Sequence, residues 1–354
     1  MESEGEGVPF FLRLVRLLLL CSRSLAAAAC FAAAAGGAGA GPYALVPGWP
    51  AGLSPMPPNI SSILAATVVG DEVIMAQGHR PSNFFVVFDA RSGALLRSFN
   101  ASGNVLLSPH GLHTADYGAS IWATDANHAV YRLGAADGRV LDTLGVPGAP
   151  GAQLQPIHFD LPADVAVTRG GDVIVADGDG GVINARVVFL QADGRGGFAT
   201  RWAAGTNGTG PGQFAQFVHA LAYQARTDTL WVADEHNARL QALDGQTGAV
   251  RGTWGAECFG GAGAEPWGLR VDEERGLLLL ADGALGRFAV LNLTDAGEGS
   301  GSAPLGACGP STMLQALDID RSLVPHELAV DRATGDVYVA CVGGKGALLK
   351  YSLV

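Results

Sequence analysis

Past residue 58 the chain alternates short apolar runs with turns, and one arrangement keeps returning. A β-prone run is followed by a turn with Gly or Asp, a second apolar run ending near Ala-Asp, and then a third run. The clearest copies are Leu161-Pro-Ala-Asp-Val-Ala-Val167 leading into Asp172-Val-Ile-Val-Ala-Asp177, and Val218-His-Ala-Leu-Ala-Tyr223 leading into Thr229-Leu-Trp-Val-Ala-Asp234; an Asn-Ala-Arg triplet follows each. Further copies open at Ser108-Pro-His-Gly-Leu112, Glu265-Pro-Trp-Gly-Leu269 and Val324-Pro-His-Glu-Leu328, and a divergent first copy runs from Ser62-Ile-Leu-Ala-Ala66 into Glu72-Val-Ile-Met-Ala76. With the residue after the Pro as phase marker, the copies fall at Ile63, His110, Ala163, His219, Trp267 and His326, spaced by 47 to 59 residues. That spacing fits three or four short antiparallel strands with their turns, so the pattern predicts an all-β, six-bladed β-propeller over 59–354. An open solenoid has shorter or helical repeats and distinct caps, neither of which is present.

Composition agrees: Gly is abundant at 51 residues and charged residues make up only 16%. The formal net charge of −11, with no basic run, argues against a nucleic-acid partner. Residues 1–40 read differently. Arg13, Arg16 and Arg23 flank or interrupt apolar stretches, an Ala-rich run from Leu25 to Ala35 follows, and Ala38-Gly39-Ala40 offers a small-residue cleavage site. The expectation is a removable signal peptide, a secreted or secretory-pathway protein, and no stable membrane span once the signal is gone. Sequons at Asn59, Asn100, Asn207 and Asn292 agree with a glycoprotein. Residues 41–58 form a Pro/Gly-rich lead-in that wraps the seam of the ring or stays mobile. Cys258, Cys308 and Cys341 remain in the mature chain, enough for one disulfide and one free thiol in a pairing that spacing leaves open.

Among the phase markers, the second, fourth and sixth are His110, His219 and His326. Alternate blades of a six-bladed ring stand about 120° apart, so three imidazoles converge on the channel. Three His ligands leave one position open on zinc, the pattern of a catalytic rather than a structural site. His79, His113, His128, His158 and His236 lack this phase and read as structural or solvated.

The segment Trp231-Val-Ala-Asp-Glu-His-Asn-Ala-Arg-Leu-Gln-Ala-Leu243 resembles the strand-turn-strand core of NHL repeats. In order and approximate spacing, Gly78-His79-Arg80, Ser108-Pro-His-Gly-Leu112, Phe217-Val-His-Ala-Leu221 and Val324-Pro-His-Glu-Leu328 resemble peptidyl-α-hydroxyglycine α-amidating lyase, an NHL-type propeller. The resemblance implies a zinc-dependent lyase that converts an α-hydroxyglycine-extended peptide into peptide amide and glyoxylate, with a separate monooxygenase partner making the substrate. It implies Arg80 as the cation for the substrate carboxylate. The family's catalytic Tyr has no counterpart in Asp177-Gly-Asp-Gly-Gly-Val-Ile-Asn-Ala-Arg186, where Asp179 is the candidate base, and a family Arg aligns with Glu235. A structural calcium is implied on the Leu112 carbonyl and on Glu327, which stands where the family has Asp. A non-catalytic NHL propeller that binds peptide or protein partners is the alternative that these departures favour. A propeller hydrolase built on a carboxylate-bound calcium fits less well, because the axial markers are His and apolar residues.

Overall fold

The computed structural model describes residues 41–50, 62–78, 84–115, 118–293, 307–309, 311–344 and 346–354. The expected signal over 1–40, the sequon at Asn59, and His79 and Arg80 lie outside the described residues. Gly41–Val354 form one compact unit. Within it, six four-stranded antiparallel sheets stand as blades in a ring, the six-bladed β-propeller expected from the repeat. Their inner strands are Ile63–Val69, Pro109–Ala115, Pro162–Val167, Val218–Gln224, Pro266–Asp272 and Pro325–Val330, each beside the next, the last beside the first. Among the described residues, no helix is long and apolar enough to cross a membrane.

The patterning follows position in the blade. Second strands such as Thr229–Asp234 and Leu277–Asp282 are buried along their whole length, which is why they read as unbroken apolar runs. Outer strands such as Leu95–Phe99 and Met313–Asp318 face solvent and carry polar residues. The core lies between blades. One apolar cluster joins Trp231 and Trp254 of blade 4 to Leu278 and Leu280 of blade 5, and another joins Ala66 and Met75 of blade 1 to Tyr338 and Leu348 of blade 6. Each blade thus buries both faces against its neighbours.

The recurrent Ala-Asp is a fastener. Asp125, Asp177, Asp234 and Asp282 end their second strands fully buried and accept backbone N–H groups from the chain entering the same blade's inner strand: Ser108 at 2.9 Å, Asp160 at 2.6 Å, Ala215 at 3.0 Å and Glu265 at 3.1 Å. The Asn-Ala-Arg triplet completes the device. Asn184 Nδ2 and Arg186 Nε donate to Asp177, as Asn237 Nδ2 and Arg239 Nε do to Asp234. At Asp177 and Asp234 both carboxylate oxygens are thereby hydrogen-bonded, as their desolvation demands.

Two details differ from the sequence reading. Tyr43–Leu45, inside the lead-in and ahead of residue 59, is the outermost strand of blade 6, paired antiparallel with Ala347–Leu353 in the register Tyr43↔Leu353 and Leu45↔Tyr351. The seam is closed by strand pairing. Ile63 pairs with Gln77 as Pro109 pairs with Asp125, so Leu64 is the residue in blade 1 equivalent to His110. The marker slips by one because blade 1 has neither a Pro at the strand start nor an Ala-Asp closing its second strand, where Gln77 stands instead.

Candidate metal centre

Each of the three histidines sits in a β-bulge at the head of an inner strand. The pairing Pro109↔Asp125 resumes only at Leu112↔Ala123, Val218↔Asp234 at Leu221↔Val232, and Pro325↔Cys341 at Glu327↔Ala340. Extra residues at the start of the ladder turn a side chain out of the sheet, here toward the axis. Ring centroids of His110, His219 and His326 stand 5.1, 4.7 and 4.7 Å apart, and one ring nitrogen from each lies within 4.8 Å of the others.

The intervening blades orient these rings. Nδ1 of His110 meets the Ala163 carbonyl at 2.9 Å, that of His219 the Trp267 carbonyl at 2.5 Å, and that of His326 the Leu64 carbonyl at 2.7 Å. A carbonyl only accepts, so Nδ1 carries a proton in each ring and Nε2 is the nitrogen left for a metal. All three carbonyls belong to the phase-equivalent residue of the following blade: one residue type supplies the nitrogen, the next the backbone oxygen that aims it. Burial brings the His219 imidazole down to about 4, with Asp179 pulling the other way, and holds His326 well below the ordinary range, its neighbours His219 and His110 adding to the effect. Neutral rings are the form that binds a metal.

Two carboxylates face the same nitrogens. Asp179 Oδ2 is 3.3 Å from His110 Nε2, and Glu235 Oε2 is 3.8 Å from His219 Nε2. Asp179 arrives there because the loop after Asp177 bridges to Phe217 of the next blade. Glu235 is buried; desolvation, with Asp179 and Glu265 as like-charged neighbours, pushes its carboxyl up to about 8. Trp267 flanks His219 and His326, with centroids 6.0 and 5.7 Å away.

Adjoining the histidines on the inner strands is a buried polar group. Arg270 of blade 5 donates from Nη1 to Asp164 Oδ2 at 3.0 Å and to the Leu269 carbonyl at 2.6 Å, and from Nη2 to the Leu112 carbonyl at 3.1 Å. Glu327 Oε2 lies 3.4 Å from Nη1, and Asp164 Oδ2 also accepts the Leu221 N–H at 2.9 Å. Glu327 Oε1 has no hydrogen-bond partner and lies 4.0 Å from His219 Nδ1. Burial first, then Asp164, raises the Glu327 carboxyl well above its usual range, against the pull of Arg270.

The fold therefore brings His110, His219, His326 and Asp179 together and places Leu112 and Glu327 beside them. Arg270 and Asp164 went unread in the sequence. Their signal was a charge inside an inner strand: the residues equivalent to Arg270 are Ala166, Ala222 and Ala329 in blades 3, 4 and 6. The described cysteines resolve to a Cys258–Cys308 disulfide and a buried free Cys341.

No known protein-family model matches the chain. Human NHL repeat-containing protein 3 is 34% identical over 277 residues, covering 76% of this chain and 73% of that protein. Peptidyl-glycine alpha-amidating monooxygenase A of Xenopus laevis is 36% identical over 167 residues, 46% of this chain and 17% of that one. A probable peptidyl-alpha-hydroxyglycine alpha-amidating lyase of Caenorhabditis elegans is 30% identical over 163 residues, 46% of this chain and 43% of that one. Among solved structures, that of U3-55K aligns at 11% identity with a TM-score of 0.51, covering 82% and 80% of the two chains, a likeness of fold alone. The first of these relatives matches through most of both chains, and this chain belongs to the NHL repeat-containing protein 3 family.

Proposed function

We propose that His110, His219 and His326 hold a zinc ion and that the chain is an exported lyase of the amidating type, cleaving peptidyl-α-hydroxyglycine to peptide amide and glyoxylate. The observation that carries this reading is the set of three converging imidazoles whose Nδ1–H groups are each tied to a carbonyl, which leaves Nε2 of each ring as the nitrogen a metal can take. That donor set suits zinc and leaves a fourth position for substrate. Zinc bound there supplies a Lewis acid that makes a hydroxyl easier to deprotonate. Asp179 stands beside His110 Nε2 and takes the carbinol proton. The C–N bond then breaks, its electron pair leaves on the amide nitrogen, and the oxygen becomes the glyoxylate aldehyde. Asp179 returns the proton to that nitrogen, so the step balances. Arg80 binds the substrate carboxylate, a charge that the neighbouring Asp179 carboxylate alone would repel.

Similarity to the amidating proteins supports the substrate class, and the Cys258–Cys308 disulfide supports export to an oxidising compartment. A monooxygenase in that compartment would hydroxylate the glycine first. The deciding assay incubates purified chain with an α-hydroxyglycine-extended peptide and measures glyoxylate; release no greater than from metal-stripped protein rejects the lyase. One observation favours a second reading, a non-catalytic metal-bearing propeller that binds a peptide. Glu235 is buried beside His219, where the amidating resemblance calls for an arginine. In that case zinc is retained and glyoxylate is absent.

A further inference from the structure

The resemblance to amidating lyases puts a calcium on the axis, held by the Leu112 carbonyl and the carboxylate at 327. The residues present do not suit it. Leu112 already accepts from Arg270 Nη2, and the guanidinium stands between two carboxylates, 3.0 Å from Asp164 and 3.4 Å from Glu327. Calcium takes six to eight oxygens whose lone pairs all point at it. Here every oxygen of the group except Glu327 Oε1 is pointed at a nitrogen donor, and a doubly charged ion among them would lie against a positive group in a low-dielectric interior. We propose that Arg270 is the built-in axial cation of this propeller, standing where the amidating resemblance implies calcium, so that the hub beside the histidines needs no calcium.

The contact pattern is what a hub requires. Arg270 belongs to blade 5, Leu112 to blade 2, Asp164 to blade 3 and Glu327 to blade 6, while Asp164 reaches on to the Leu221 N–H of blade 4. One planar fork with five donors thus joins inner strands separated by up to 158 residues, the bridging work that a multidentate ion does elsewhere. Arg270 and Asp164 bring opposite charges into the channel together, and Arg270 is 9% exposed. Glu327 Oε1, the one carboxylate oxygen of the group without a donor, lies on the His219 side of the hub.

The test is calcium binding and calcium-dependent stability, neither of which involves zinc or glyoxylate, so the result stands whatever the activity. Purified chain, passed over a chelating resin, is dialysed against radiolabelled calcium and melted with and without calcium at about 1 mM, enough to fill ordinary extracellular sites. Wild type is expected to take up no calcium that depends on Glu327 and to show no calcium-induced rise in melting midpoint. Arg270→Ala is expected to melt several degrees lower in calcium-free buffer. The inference is overturned if wild type binds one calcium per chain that Glu327→Gln abolishes, or if Arg270→Ala melts with wild type. Should Arg270→Ala fail to fold, the comparison of wild type with Glu327→Gln still decides.

Discussion

His219 has little freedom. Its Nδ1 is tied to the Trp267 carbonyl and its ring is packed against two other imidazoles and an indole, so its Nε2 has one direction in which to point. Removing that nitrogen leaves two ligands, too few for zinc to survive gel filtration. The expected zinc content is about one equivalent per wild-type chain and close to none in His219→Ala, read by elemental analysis. Asp179→Asn separates binding from chemistry. It keeps the three imidazoles, so zinc content should hold while kcat falls by about 10²- to 10⁴-fold, the usual worth of a positioned base; loss of metal in this variant would recast Asp179 as a ligand. His113, the residue of blade 2 equivalent to Arg270, has a different role. Burial, with Arg270 and Arg332 as positive neighbours, lowers it to about 4, so the folded chain keeps it neutral while the unfolded chain protonates it near 6.5. Unfolded protein then binds the extra proton, and stability is lost as pH falls from about 6.5 toward 4. His113→Gln should flatten that part of the curve by about 1–2 kcal/mol, less than the full shift because the ring is partly exposed. Urea midpoints for both proteins across this range measure it, and parallel curves would remove His113 as the cause.

Between residues and blades stand the short devices that the repeat encodes. Gly111 and Gly268 follow the phase marker in blades 2 and 5, where the backbone of the next inner strand approaches closely. A Cβ at Gly111 would sit 2.6 Å from the Ala163 oxygen and 2.7 Å from the Asp164 Cα, and one at Gly268 would sit 2.4 Å from the His326 oxygen. These are backbone neighbours, so the strand must shift. Gly111→Ala should cost about 1–3 kcal/mol and move His110, seen as a lower urea midpoint together with weaker metal retention. The Asp177 fastener has a larger expected effect. Asp177→Ala leaves the buried Arg186 without its carboxylate, a change worth about 3–5 kcal/mol, whereas the same change at exposed Asp193, whose carboxylate only accepts the Arg195 and Gly197 N–H groups of its own turn, should cost about 1 kcal/mol. Devices of this kind were legible in the sequence because they are local: Asp177, Asn184 and Arg186 lie within ten residues, and Pro-His marks the bulge in blades 2 and 6. Arg270 was not legible as a hub. Its partners lie 106 and 158 residues away, and only the closed ring makes them neighbours. Blade 1 shows the same limit from the other side, since with neither a strand-opening Pro nor a closing Ala-Asp the marker fell on Ile63 instead of Leu64.

At the scale of the whole ring, stability depends on how the last blade is completed, and a three-residue strand gave no periodicity from which to read it. Tyr43–Leu45 covers the edge of Ala347–Leu353, Val46 N–H continues the ladder to the Lys350 carbonyl at 2.8 Å, and Gln315 brackets Tyr43 through both its backbone groups at 3.0 and 2.8 Å. Tyr43 itself is 2% exposed and meets Phe288 of blade 5 edge-on at 5.7 Å, so this short strand joins two blades as well as finishing one. Without it, the Ala347–Leu353 edge presents unpaired backbone groups that invite pairing with another chain. Tyr43→Ala should therefore lower stability by about 3–5 kcal/mol with little aggregation, because the strand still pairs. A chain beginning at residue 47 should lose at least as much and also self-associate. Urea melts and light scattering, run beside a chain beginning at residue 41, distinguish the two effects. Equal midpoints and equal monodispersity for the two lengths would mean that Ala347–Leu353 closes the ring unaided and that the added strand is ornamental.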